Sequence, residues 1–138
     1  MAGHAVEVHV AAVLEPTVLE QEVGAGGADV DSGALAGIAV IAATGNDSAR
    51  GRVGTPSCIT GVVAVGNSID PNDTLAPTSN HSPRVDLLAP GTNINAAVPT
   101  RNGQAAYATK TGTSQASPHV AGAWALLKSA KPTASVTT

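Results

Sequence analysis

The residue whose setting most favours chemistry is Ser114, in the run GTSQASPHVAG that spans Gly112 to Gly122. A serine hydroxyl is a weak nucleophile. It needs a base, a low-dielectric site and donors for the oxyanion that forms when it attacks a carbonyl. The residues after it, Gln115 to Ala130, read as the longest helix of the chain, with Lys131-Pro132 closing it and Pro118 tolerable in its first turn. Ser114 would then stand at a helix start, where free backbone N–H groups and the positive end of the dipole face an anion. Gly112 lets the entering chain turn tightly, and Thr113 adds a side-chain oxygen near the orphan donors. A Thr-Ser pair before a helix is more often an ordinary capping pair. The full run is far more specific: nine fixed positions of eleven in GTSxAxPHVAG would recur by chance on the order of 10⁻¹⁰ per position.

A second candidate is Asn46, at the end of Val40-Ile-Ala-Ala-Thr-Gly-Asn46. A side-chain amide at the C-terminal end of a strand can donate to a tetrahedral intermediate beside the Ser114 N–H, and open α/β sheets place their sites at such ends. Taken alone, an asparagine before Asp47 is a turn residue. The spacing from Asn46 to Ser114 is 114 − 46 = 68 positions. His119 is no base for Ser114. Five residues on along the same helix, it points about 140° away at ~100° per residue and is a structural histidine. The single cysteine, Cys58, reads as a small buried hydrophobe.

These residues need a frame. Ile38 to Ala43 is a continuous apolar run of the kind that suits a strand covered on both faces, and Val62–Val65 and Val85–Ala89 are shorter ones. Loop chemistry separates them at Pro71-Asn-Asp73 and Ser79–Pro83, the loop that carries His81. Ile94–Val98 and Gln104–Thr109 flank Asn102-Gly103, a two-residue hairpin signal. Asp29–Ala36 suits a short helix stopped by Gly37, Gly24–Gly27 a loop, and His9–Leu14 either a strand or a helix start. Helix, parallel strands and a long final helix predict an α/β layer architecture. With 138 residues, 43% hydrophobic and 12% charged, the chain is a core-former. Its 1% aromatic content leaves Ala, Val, Ile and Leu to fill that core. A net charge of −3 gives no footprint for nucleic acid, and no apolar stretch reaches membrane-spanning length. The N-terminal residues lack the basic start and unbroken apolar run of a signal peptide.

The run GTSQASPHVAG resembles the serine motif of the subtilases, the subtilisin and proteinase K family, with Gln115 where that family most often has Met. The segment Val40–Asn46 is similar to the family's strand leading to an oxyanion-hole asparagine. The 68-position spacing fits, as do Pro56-Ser-Cys58, Val62–Gly66 and Asp86–Thr92 between. The resemblance implies a subtilisin-like three-layer α/β fold with a mostly parallel sheet and a long helix after the serine. It implies a serine endopeptidase that hydrolyses peptide bonds of peptide or protein substrates through an acyl-enzyme. Ser114 would be the nucleophile, Asn46 the oxyanion donor, and Ala42, Ala43, Thr44 and Gly45 the pocket for the substrate residue before the scissile bond. His119 takes a packing role and His81 none in catalysis. No cofactor is implied as a rule. Some relatives bind calcium with carbonyls near Thr60 and Val62 and a carboxylate at the position of Asp86.

The resemblance runs from Ala28 to Pro132 and corresponds to the later part of a subtilase domain. We therefore expect residues 1–27 as an unassigned segment and 28–138 as a partial catalytic domain, truncated at both ends. The family's order is Asp, then His, then Ser. No Asp precedes Asp29, so neither His4 nor His9 can follow a catalytic Asp. The expectation is a fragment lacking the catalytic Asp and His and inactive alone, from a parent of a usually secreted family. The alternative is a non-catalytic remnant that binds extended peptides.

Overall fold

The computed structural model of the chain describes residues 8–11, 37–69, 71–98 and 106–136. Seven strands and one helix are found there: β1 (Val8–Ala11), β2 (Ala39–Ala43), β3 (Val63–Ile69), β4 (Thr74–Leu75), β5 (Leu87–Pro90), β6 (Ile94–Val98), β7 (Ala106–Lys110) and α1 (Thr113–Ala130). β1 to β5 form one sheet, and β6 and β7 a separate antiparallel ribbon. The centre of the large sheet is parallel, with β3 between β2 and β5. β1 adds to β2 and β4 to β3, both antiparallel. α1 lies across this sheet, against β1, β2, β3 and β5.

Period-2 alternation along β2 explains its unbroken apolar sequence. Ala39 and Ile41 enter a cluster with Val65, Ala89 and Ala116, on the side where α1 packs. Val40 and Ala42 turn the other way, against Val62 and Ile59. On α1, Ala116, Val120, Ala121 and Trp124 share the inward face at helical spacing. Leu126 and Leu127 lie off that face, 75% and 46% exposed.

The α/β architecture and the long helix match the sequence reading, with several differences in detail. The sheet is parallel only at its centre, and one helix layer is seen among the described residues. β5 starts at Leu87, two residues later than Val85, and just before it Asp86 bonds the Ala64 main chain through its N–H and through its carboxylate. The helix begins at Thr113, two residues before Gln115, so Pro118 falls in its second turn and leaves the Ser114 carbonyl without an i+4 donor. Of the His9–Leu14 segment, the described part is strand. Cys58 is exposed rather than buried, since it sits on the surface turn after Gly54. The expected helix Asp29–Ala36, the loop Gly24–Gly27 and the turn Asn102-Gly103 lie outside the described residues.

Candidate active site

β2 ends at Ala43, and the chain then crosses the N-terminal end of α1. Two hydrogen bonds tie the elements together. The Gly45 N–H donates to Thr113 Oγ1 at 3.2 Å, and the Thr113 N–H donates to Asn46 Oδ1 at 2.9 Å. The Thr113 N–H is one of the orphan donors of the first helical turn. Its N-cap residue, Gly112, has no side chain to satisfy it, so the cap comes from Asn46, 67 positions earlier. The Thr113 hydroxyl therefore does not cap its own helix, as its place in the sequence suggests, but accepts from Gly45.

This contact orients the Asn46 amide. With Oδ1 turned to Thr113, the planar group directs Nδ2 along its other branch, and Nδ2 meets no acceptor among the described residues. Asn46 is exposed and Ser114 half-buried. The Ser114 N–H likewise has no acceptor among the described residues. Two unused donors thus stand at the start of α1, the helix whose first turn carries Ser114.

Two glycines make the close approach possible. Gly112 has φ 155° and ψ 172°, a region kept for glycine, and its N–H donates to the Gly91 carbonyl at 2.8 Å. A Cβ there would lie 3.1 Å from Asn46 Nδ2 and 3.3 Å from Oδ1. Gly45, at φ 100°, turns the chain where a Cβ would run into Asn80 Nδ2.

Asn80 organises the loop that presents Asn46. It is 3% exposed. Its Oδ1 accepts the Asp47 and Ala49 N–H groups, each at 2.9 Å. Its Nδ2 donates to the Thr44 carbonyl at 3.0 Å and to Asp47 Oδ2 at 3.2 Å. Its own N–H donates to the Gly45 carbonyl at 2.9 Å. A buried amide saturated in this way fixes both chain directions around Asn46. Local sequence gives no hint of it, because Ser79-Asn80 reads as loop chemistry and its partners lie 31 to 36 positions away.

The four residues expected to line the pocket divide. Ala42 and Thr44 have no exposed surface, so neither side chain can touch a ligand. Ala42 belongs to the core beside Val62, and Thr44 Oγ1 donates to the Asn80 carbonyl at 3.3 Å. Ala43 and Gly45 are half-buried and remain available to form a wall. His119 is exposed, its Nδ1 2.8 Å from the Gln115 carbonyl of its own helix. His81 joins the loop through its backbone, which accepts from Gly51 and donates to Ala49. Among the described residues, no imidazole or carboxylate hydrogen-bonds to Ser114.

The Peptidase_S8 model, described as the subtilase family, matches residues 12–138. Subtilisin-like protease 1 of Pseudogymnoascus destructans is 39% identical over 98 residues, covering 71% of this chain and 24% of that protein. Alkaline elastase YaB of Bacillus sp. (strain YaB) is 41% identical over 103 residues, 75% of this chain and 26% of the relative. Subtilisin DY of Bacillus licheniformis is 38% identical over 109 residues, with shares of 77% and 38%. The chain thus spans from 24% to 38% of the length of these curated relatives. A family match that takes in β2, the Asn46 loop and the Ser114 helix start places this chain in the subtilase family.

Proposed function

We propose that the chain carries the nucleophile and oxyanion-hole part of a serine endopeptidase site acting on peptide or protein substrates. Ser114 Oγ would attack the scissile carbonyl. The Ser114 N–H and Asn46 Nδ2 would receive the oxyanion, and the backbone of Ala43 and Gly45 would border the substrate residue before the cleaved bond. The observation that carries this reading is the 2.9 Å bond from the Thr113 N–H to Asn46 Oδ1, which ties the Asn46 amide to the helix start that carries Ser114 and leaves its nitrogen for another partner. Such preorganised donors lower a barrier because they need no rearrangement as charge develops. The histidine and aspartate that would activate Ser114 come, in this reading, from sequence outside these 138 residues, and residues 28–138 act as the later part of one catalytic domain.

Complementation tests it. The chain is refolded alone, and together with the portion of subtilisin DY that precedes its matched region. Fluorophosphonate labelling and hydrolysis of a peptide anilide are then measured. The chain alone gives neither signal. The complemented protein gives both, and Ser114→Ala abolishes them. Asn46→Ala slows hydrolysis about 10²–10³-fold, the loss measured on removing this donor in subtilisin itself. Turnover by the chain alone that Ser114→Ala removes would overturn the external base. Complementation that yields a folded protein without labelling would overturn the catalytic reading in favour of a peptide-binding remnant.

A further inference from the structure

The calcium expectation for Thr60, Val62 and Asp86 meets an obstacle in this chain. A cation already stands there. Arg84 Nη2 donates to the Ile59 carbonyl and, at 3.4 Å, to the Val62 carbonyl. Its Nη1 is 3.9 Å from Asp86 Oδ1, and the Arg84 and Asp86 side chains are 33% and 29% exposed. The other carboxylate oxygen, Asp86 Oδ2, accepts the Ala64 N–H at 2.8 Å, while the Asp86 N–H donates back to the Ala64 carbonyl at 2.9 Å.

With Arg84 in place the donors do not suit calcium. A hard dication takes six to eight oxygens, and here two carbonyls and the single carboxylate already face the guanidinium, so water cannot complete the shell while the arginine is present. Among the described residues, no group of three or more acidic, histidine or cysteine side chains could hold a metal. The Val62 carbonyl and the neighbouring Ile59 carbonyl already accept guanidinium N–H groups, and two like charges within a few ångströms repel. The local chain is built to aim the arginine inward. Ser82 Oγ accepts the Arg84 N–H at 3.1 Å, and the Ser82 carbonyl accepts the Val85 N–H at 3.1 Å, which closes a turn behind the side chain.

We propose that Arg84 is a covalently attached replacement for a structural metal ion. Its planar fork bridges two carbonyls of the 59–62 turn while its charge faces Asp86, joining that turn to the segment entering β5 without calcium.

The full chain and two variants, Arg84→Ala and Arg84→Lys, test this by thermal unfolding in millimolar calcium and in chelator, with equilibrium dialysis of radioactive calcium. The wild-type melting temperature is the same in both buffers. Arg84→Ala loses several degrees in chelator and regains at least half of the loss in calcium, because the carbonyls and Asp86 are released to the ion. Arg84→Lys, which keeps a cation in place, does not respond to calcium. Arg84→Ala that folds only when calcium is present supports the proposal equally. A wild-type protein that gains as much from calcium as Arg84→Ala does overturns it. So does Arg84→Ala with no calcium response, or wild-type calcium binding in dialysis that Asp86→Asn removes.

Discussion

One amide serves two purposes at Asn46. Its oxygen closes the first turn of α1, and its nitrogen is left for a ligand. The two purposes can be separated by substitution. Asn46→Asp retains an acceptor for the Thr113 N–H and places negative charge at a helix N-terminus, where it is favoured. Asn46→Ala retains neither. Urea unfolding should show Asn46→Asp within about 0.5 kcal/mol of the wild type and Asn46→Ala less stable by about 0.5–2 kcal/mol, the range for a lost cap. Both remove the donor that the proposed chemistry needs, so stability and labelling after complementation should part company in the aspartate variant alone. That Asn46 meets the helix start carrying Ser114 was legible because a dense motif and a fixed spacing mark both. Asn80 was not, since a buried amide bonded across more than 30 positions leaves no local pattern. Thr44 was misplaced for a related reason: the last residues of a strand look alike in sequence whether they face a groove or the Asn80 carbonyl.

Among the elements, β2 and α1 declare themselves most clearly, and for different reasons. β2 is buried on both faces and so cannot afford a polar residue, whereas α1 carries an apolar face at helical spacing. β4, two residues long beside a Pro-Asn-Asp turn, is held by its pairing with β3 and not by its composition. Where an element starts was harder to read than what it is. α1 gains two residues because Thr113 finds a tertiary cap, and that extension carries Pro118 into the helix interior. Pro118→Ala restores an N–H that can reach the Ser114 carbonyl. Against the entropy proline removes from the unfolded chain, the net gain should be about 1–2 kcal/mol, read as a higher urea midpoint at unchanged slope. A variant less stable than the wild type would mean the proline ring packs better than its missing bond costs.

At the scale of the molecule, an aromatic-poor composition becomes a core of Ala, Val and Ile shared by one sheet and one helix. The α/β class followed from the order of apolar runs. The antiparallel flank at β1 did not, because an edge strand that short carries no periodicity to separate it from a helix start. The bonds that join β2 to α1 link residues 67 and 68 positions apart. Three of the five strands of the large sheet, β3, β4 and β5, lie between them in sequence. The Thr113 amide hydrogen is therefore a reporter of the whole structure: it can trade with solvent deuterium only when α1 lifts from the end of β2. Its exchange should be as slow as that of the central β3 amides and should quicken selectively in Asn46→Ala, followed residue by residue by NMR. The local setting of Ser114 is in this sense surrendered only when the fold as a whole opens.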